Sequence, residues 1–206
     1  MVEITSRRNS RQSVPSLFFP GLLLLAVIAY SGCRRSNTPK PRGYFRIDFP
    51  EKQYIPYHDS CPYTFEYPVY GKIEPDIDYL SEPCWINIEF PEYLGKIHIS
   101  YKPVSNNIRT LLEDSHTLAY KHSIKAQSIN ERLFLDDEAR VYGMMYDITG
   151  DAASAVQFYL TDSVHHFIRG ALYFTLQPNS DSLLPVIEFF REDIVHLIET
   201  LEWQDL

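Results

Sequence analysis

The chain lacks an excess of basic residues, and this absence weighs against nucleic acid as its partner. Its 206 residues include 19 Lys and Arg against 27 Asp and Glu, and the formal net charge is -8. A nucleic-acid-binding protein normally presents a basic field to the phosphates. The apolar share of 45% is ordinary for a globular protein. We therefore expect one folded domain that binds no nucleic acid.

The sequence also lacks the short motifs that mark common catalytic sites. It has no Gly-x-Ser-x-Gly elbow, no phosphate-binding glycine loop, no dinucleotide fingerprint and no His-Glu-x-x-His. Its richest polar cluster holds Asp162, Ser163, His165 and His166, residue types that a hydrolase could use. Thr, Asp and Ser are also the residues that tight turns favour. We expect a turn there, with a metal or catalytic role as the alternative. For the chain as a whole we expect no catalytic residue, no cofactor, no metal and no small-molecule substrate.

No apolar run in the chain reaches the roughly 20 residues that a membrane-spanning helix needs. The longest run, from Leu17 to Tyr30, contains Pro20 and Gly21 and follows a polar, basic start. Small residues come next. A basic segment, a short apolar segment and a small-residue cleavage zone make up a secretory signal peptide, which we predict over residues 1–32.

Cys33 directly follows this predicted signal. The segment Tyr30-Ser31-Gly32-Cys33 resembles the bacterial lipobox, whose Cys carries a diacylglycerol thioether and, after cleavage, an acylated amine. Tyr30 departs from the usual aliphatic residue of that motif. Two or three acyl chains hold a protein on a membrane almost permanently. We predict lipidation of Cys33, with palmitate among its acyl chains and the lipid bilayer as a partner; the alternative is an uncleaved signal anchor with an incidental Cys.

Residues 33–43 are predicted to form the lipidated Cys and a flexible tether. The stretch RRSNTPKPRG is basic, contains two prolines and has no hydrophobic period. Its basic side chains either rest on anionic head groups or belong to a solvated linker, and both interpretations remain open. No acidic run follows Cys33. Because such runs resemble surface-export signals in some lipoproteins, their absence favours the periplasmic face.

Cysteine is scarce, with three in the chain. If lipid occupies Cys33, Cys61 and Cys84 remain in an oxidising compartment, which indicates a disulfide between them. That bond would close a loop of about 24 residues and contribute ~3 kcal/mol in the chain-entropy model. Two buried free thiols are the alternative. A zinc site is not indicated, because there is no Cys-x-x-Cys and no suitable His pair.

Residues 44–206 are predicted to form a single α+β globular domain. Apolar residues recur at helical spacing over 106–126 and again over 183–201, and residues 68–83 look like a loop. Connections in the second half are too short for crossovers, so we expect an antiparallel meander covered by two long amphipathic helices. This order of elements resembles the small sandwiches of the PsbP type. Alternation predicts strands over 44–49, 63–67, 85–90, 97–101, 129–135, 140–149, 156–161 and 166–175.

Two further groups of polar residues lie on the predicted helices. His116 and His122 are six positions apart, which places them on different helix faces and argues against a shared metal. The last helix has a row of acidic residues, which is either a solvated face or an acidic docking surface. The row consists of Glu188, Glu192, Asp193, Glu199 and Glu202.

Several longer segments, taken together, match the sequence pattern of a known protein family. They are KPRGYFRIDFPEKQY, CPYTFEYP, CWINIEFP, EDSHTLAYKH, QFYLTDS, HHFIRGALYF and PNSDSLLPVIEFFREDIVHLIETLEW. Together they resemble the gliding motility lipoprotein GldD family of the Bacteroidota across residues 38–206. The resemblance implies a cell-envelope lipoprotein needed for gliding, in a machinery tied to type IX secretion of adhesins. It supplies no catalytic residue, and Cys33 matches its lipid-bearing position.

Three functional hypotheses follow. The first is a non-enzymatic, membrane-anchored envelope component that faces the periplasm and binds other gliding or secretion machinery proteins. The second is a periplasmic peptide- or ligand-binding, or chaperone-like, module that uses aromatic residues on an open sheet face. The third is a cryptic hydrolase at Asp162, Ser163, His165 and His166. An exposed apolar patch would favour a protein partner, and a closed concave pocket would favour a ligand.

Overall fold

A computed structural model describes residues 47–175 and 180–204, with the side chains of residues 122, 123 and 180–182 left aside. The predicted signal peptide, Cys33 and the tether lie outside the described residues. So does most of the strand predicted at 44–49. Its described end, residues 47–49, is not a strand. Ile47 and Phe49 instead pack against the hydrophobic core.

Ten strands and two α-helices make up the described chain. The helices are α1, Ile108–Tyr120, and α2, Ser180–Glu199, and short 3-10 turns occupy Pro91–Tyr93 and Lys121–Ile124. The strands are β1, Tyr54–Tyr57; β2, Tyr63–Pro68; β3, Lys72–Pro75; β4, Ile86–Phe90; β5, Gly95–Pro103; β6, Ala126–Asp136; β7, Val141–Gly150; β8, Ser154–Thr161; β9, His166–Phe174; and β10, Glu202–Trp203.

The strands form two sheets in which every pairing is antiparallel. The larger is a seven-stranded sheet in the order β3-β4-β5-β9-β8-β7-β6, and the smaller is β1-β2-β10. Strands β6 to β9 pair with their neighbours in sequence, so the predicted meander is confirmed. Sheet and helices together confirm the α+β class.

The main core lies on one face of the large sheet, which we term the inner face. Alternation along β8 turns Val156, Phe158 and Leu160 to this face, where all three are buried. Helix α2 contributes Phe190 and Ile194 to the same cluster. Burial of one Phe or Ile side chain stabilises a fold by about 1.5–3 kcal/mol, which explains why this stripe determines how α2 packs.

Helix α1 covers part of the opposite, outer face. Its buried Ala119 packs with Tyr146, Ile148 and Ala152 in a second, smaller cluster. The helix ends at Tyr120 instead of at residue 126 as predicted, because the chain tightens into a 3-10 turn before β6 begins. None of the helices in the described ranges is long and apolar enough to cross a membrane.

Three short strands were not predicted. Strand β3 lies inside the stretch expected to be a loop, and β1 and β10 are four and two residues long. Pro56 lies inside β1 and Pro75 ends β3. Proline weakens a strand pattern and tends to occur at edges, so only the pairing with a neighbouring strand reveals these elements.

Candidate functional site

The polar cluster at 161–166 is a tight turn between β8 and β9. Asp162 is buried, and its Oδ1 accepts the backbone N–H groups of Val164, His165 and His166 at 3.0, 2.8 and 2.8 Å. Burial opposes the ionisation of Asp162, but these donors outweigh it and lower the pKa of the carboxyl. The Asp162 carboxylate therefore holds the turn together.

The neighbours of Asp162 have structural contacts of their own. The Nδ1 atom of His166 lies 3.0 Å from the Tyr101 hydroxyl, and its ring stacks on Trp203 with centroids 5.2 Å apart. His165 is exposed, with its Nδ1 3.6 Å from Asp162 Oδ2. Ser163 has a left-handed backbone with φ 69°, a conformation that some turn types contain. Within the described ranges, no group of three or more His, Cys, Asp or Glu side chains could hold a metal ion.

His116 belongs to an aromatic surface cluster on α1. Its ring stacks on Tyr120, with centroids 4.3 Å apart, and meets Tyr146 edge-on. The side chain of His122, the second predicted helical histidine, lies outside the described side chains. Tyr120 in turn donates its hydroxyl to Glu131 on β6 at 2.9 Å. This hydrogen bond connects the end of α1 to strand β6.

Cys61 and Cys84 form a disulfide, with Cα atoms 5.5 Å apart. The bond joins the segment before β2 to the segment before β4, and thus links the two sheets. The Tyr63 hydroxyl donates to the Cys84 carbonyl at 2.8 Å beside it. The pairing predicted from the cysteine count is therefore present.

The variant Cys61→Ser with Cys84→Ser is expected to lower the free energy of unfolding by ~3 kcal/mol. The two cysteines are 23 positions apart, and without the bond the unfolded chain gains conformational entropy. Denaturant unfolding measures the change. Reductant should destabilise the unmodified protein by a similar amount and leave the double variant unaffected. Two titratable thiols in the oxidised, folded protein would contradict the bond.

Asp193 corrects the prediction of a uniformly solvated acidic face on α2. Glu188, Glu192, Glu199 and Glu202 are exposed, whereas Asp193 is 1% exposed. The position falls among the apolar residues that α2 turns to the core. A carboxylate within an apolar helical stripe was the available sequence signal, because a buried charge needs a partner.

The partners of Asp193 come from the first described segment of the chain and from the turn after β2. Its Oδ1 pairs with Lys52 Nζ at 2.7 Å and accepts the Tyr54 hydroxyl at 3.0 Å, and its Oδ2 accepts the Tyr70 hydroxyl at 2.7 Å. Lys52 also donates to the Phe189 carbonyl at 2.6 Å. We name Lys52, Tyr54, Tyr70 and Asp193 the Asp193 cluster. It fastens the chain that enters the domain to helix α2.

Burial within this cluster changes the acidity of its tyrosines. Burial first, and then the neighbouring Asp193 carboxylate, raises the pKa of both Tyr54 and Tyr70. Both hydroxyls therefore stay protonated and remain donors at physiological pH. The cluster is a satisfied polar network in which one carboxylate accepts three donors.

A second polar group, missed from the sequence, lies on the outer face. His98 Nδ1 is 3.0 Å from Asn87 Oδ1 and 3.7 Å from Asp76 Oδ2. Burial lowers the pKa of His98, and the charge of Asp76 only partly opposes this. The group joins β4 and β5 to the loop after β3. That loop carries Ile77, which is 93% exposed.

Strand β6 exposes large apolar side chains at the end of the large sheet. Leu133 is 58% exposed and Leu135 is 68% exposed. They lie opposite Met144 and Tyr142 in the register with β7. Among the strands of the described ranges, β6 is the last one on this side.

Two open grooves flank this strand. One, of about 420 Å³, is lined by Leu112, Glu113, His116, Thr117, Glu131, Met144, Tyr146 and Tyr159. The other, of about 470 Å³, lies at the far end of α2 and is lined by Asp136, Glu138, Ala139, Arg140, Glu199, Thr200, Leu201, Glu202 and Trp203. Acidic side chains are prominent in both, so this side of the domain is a candidate interaction surface.

Comparisons with known proteins identify a family. The family model described as gliding motility lipoprotein GldD matches residues 34–203. No curated protein matches the chain. Among solved structures, the chain is similar to the solution structure of cyanobacterial PsbP (CyanoP) from Synechocystis sp. PCC 6803. That similarity has a TM-score of 0.46 and 10% identity, and it covers 75% of this chain and 94% of the other.

Proposed function

Because the chain belongs to the gliding motility lipoprotein GldD family, we propose that it is a non-enzymatic component of the gliding motility machinery, in the part linked to type IX secretion of adhesins. The family match carries this proposal. It runs from residue 34 to residue 203 and so begins directly after Cys33, the predicted lipid-bearing residue.

We further propose that lipid on Cys33 holds the domain at the envelope membrane, on the periplasmic side. The basic, proline-containing tether after Cys33 supports this arrangement, since it can both span a distance and rest on anionic head groups. The Asp193 cluster supports it as well, because it fastens the chain on entry to the folded domain.

A non-enzymatic role is supported by how the richest polar cluster is used. One carboxylate oxygen of Asp162 accepts three backbone N–H groups. The ring of His166 contacts the Tyr101 hydroxyl and stacks on Trp203. Groups committed to such contacts are turn and packing elements. They are poorly suited to act as a base or nucleophile that must meet a substrate.

The peptide-binding module remains a second candidate, and the groove beside α1 favours it. Met144, Tyr146 and Tyr159 supply apolar and aromatic lining to that groove. Such a surface suits a protein segment better than a small molecule, since it is open and lies beside a strand edge. The two candidates are compatible if the bound segment belongs to the machinery itself.

Deletion of the gene, in a host that glides, is expected to abolish colony spreading and the secretion of adhesins. Reintroduction of the unmodified gene should restore both. The triple variant Asp162→Asn, Ser163→Ala and His165→Ala should also restore spreading, because the proposed role needs no catalysis. A deletion strain that spreads normally would refute the family role, and a folded triple variant that fails would favour the hydrolase.

A further inference from the structure

We propose that the outer edge of β6 binds an extended, basic segment of a partner protein, which adds to the large sheet as another strand. This inference rests on the proposed function, since it names the class of partner that such an envelope component takes. Three observations carry it: the edge of β6 that no described strand pairs with, the exposed leucines on that strand, and the acidic grooves on either side.

The edge determines the conformation of the occupant. Strand β6 pairs with β7 in continuous register from Ser128 opposite Thr149 to Asp136 opposite Val141. No strand of the described ranges pairs with its other side. An unpaired edge offers a row of N–H and C=O groups that another extended chain can satisfy. At the opposite edge of the sheet, β3 has four residues and ends at Pro75, so it is a poor template.

The exposed side chains define how the occupant is recognised. Leu133 and Leu135 are two positions apart and so project to the same, outer face of the sheet. Met144 lies opposite Leu133 and lines the groove beside α1. Together these three side chains form an apolar patch beside the edge. Alternate apolar side chains of an added strand would pack on this patch, as cross-strand neighbours do within sheets.

The charged side chains on both sides of β6 indicate the charge of the segment that binds there. Arg140 lies in the groove at the end of α2, Arg132 lies 3.7 Å from Glu199, and Arg109 lies 2.9 Å from Glu113. These three cations are outnumbered by the carboxylates that line the two grooves. The acidic side chains that line the two grooves are Glu113, Glu131, Asp136, Glu138, Glu199 and Glu202. A segment with Lys or Arg between apolar residues complements them.

The same charges argue against other occupants. A second copy paired edge to edge would bring these carboxylates against their own counterparts, and like charges placed close together are unfavourable. An anionic bilayer surface would be repelled for the same reason. The geometry therefore favours a basic strand from a different protein.

The test uses the full-length protein, purified from membranes in detergent, with synthetic peptides as probes. One labelled peptide alternates lysine and valine, and the matched peptide alternates glutamate and valine. We expect the basic peptide to bind, by fluorescence anisotropy, and to slow hydrogen exchange at the backbone amides of residues 128–136. The acidic peptide should bind at least ~10-fold more weakly. Equal binding of both peptides, or protection located elsewhere, would overturn the proposal.

The variant Leu133→Lys with Leu135→Lys should weaken binding of the basic peptide by ~10-fold or more, because it removes the exposed leucines of the apolar patch and adds positive charge that repels the peptide. Both leucines are exposed, so the fold should persist, as circular dichroism can verify. The control, Ile77→Lys with Leu80→Lys, adds the same charge at exposed positions after β3 and should leave binding unchanged. Unchanged binding by the β6 variant, or dimerisation through β6, contradicts the inference.

Colony spreading separates this inference from the proposed function. If deletion abolishes spreading, the strain with Leu133→Lys and Leu135→Lys should also fail to spread, with a normal level of protein. Full spreading by that strain rejects the docking edge and leaves the family role intact. Normal spreading by the deletion strain rejects the family role, and the peptide measurement then still decides whether β6 is a docking edge.

Discussion

Replacement of Cys33 by alanine is expected to abolish incorporation of labelled palmitate and to leave the signal peptide attached. The thiol of Cys33 is the predicted acceptor of the diacylglycerol, and cleavage before it depends on that modification. Each methylene of an acyl chain contributes about 0.8 kcal/mol when it enters the bilayer, so two or three chains on Cys33 would anchor the protein stably. Metabolic labelling and the mass of the protein on a gel measure both effects.

Cys84→Ser is the matched control for this experiment. It removes a thiol that forms the disulfide with Cys61 and has no part in the predicted anchor. The control protein should keep its label and its processed mass. Retention of label after Cys33→Ala, or loss of label after Cys84→Ser, would show that the anchor is elsewhere.

Asp193→Ala is expected to lower the free energy of unfolding by about 3–5 kcal/mol, the usual loss when one partner of a buried ion pair is removed. Asp193 is buried and lies 2.7 Å from Lys52 Nζ, so the variant leaves the partly buried Lys52 side chain without its carboxylate partner. The hydroxyls of Tyr54 and Tyr70 lose their acceptor as well. Denaturant unfolding of the purified domain measures the loss.

Glu192→Ala is the control, since Glu192 is the exposed neighbour of Asp193 on α2, and a change within about 0.5 kcal/mol is expected. A double variant, Lys52→Met with Asp193→Leu, should recover the part of the loss that comes from the unpaired Lys52 charge, whereas the hydroxyls of Tyr54 and Tyr70 still lack their acceptor. Equal effects of Asp193→Ala and Glu192→Ala would mean that the Asp193 cluster does not stabilise the fold.

Alkaline pH provides an independent measurement on the same cluster. Burial raises the pKa of Tyr54 and Tyr70 above the ordinary value of 10.0. The unfolded chain therefore loses these protons first as the pH rises. Their contribution to stability is fully present below pH 10.0 and declines above it.

Much of the fold could be predicted because local patterns and short connections agree. Strands β6 to β9 alternate clearly and are joined by brief turns, so their antiparallel order follows from the chain alone. Strands β1, β3 and β10 could not be found this way. Strands of two to four residues show too little alternation of apolar and polar residues to be recognised. They form because a longer neighbouring strand provides their hydrogen-bond partners.

The candidate surface was harder to predict than the fold. Leu133 and Leu135 alternate as residues of a buried strand do, yet they are exposed, because α1 covers only part of the outer face. Sequence periodicity shows that a strand has two faces, but not which of them a distant helix covers. Asp193 was misplaced for a related reason. Its partners, Lys52, Tyr54 and Tyr70, are more than 100 positions away in the chain.

We propose that this domain works only when it is tethered to its membrane, and colony spreading of the deletion strain that carries an untethered domain measures whether it does. Residues 44–206 would be exported to the periplasm behind a signal peptide that is cleaved without lipidation. We expect a folded protein, at normal abundance, that fails to restore spreading, whereas the unmodified gene restores it. Full spreading with the untethered domain would show that the protein works without its lipid anchor.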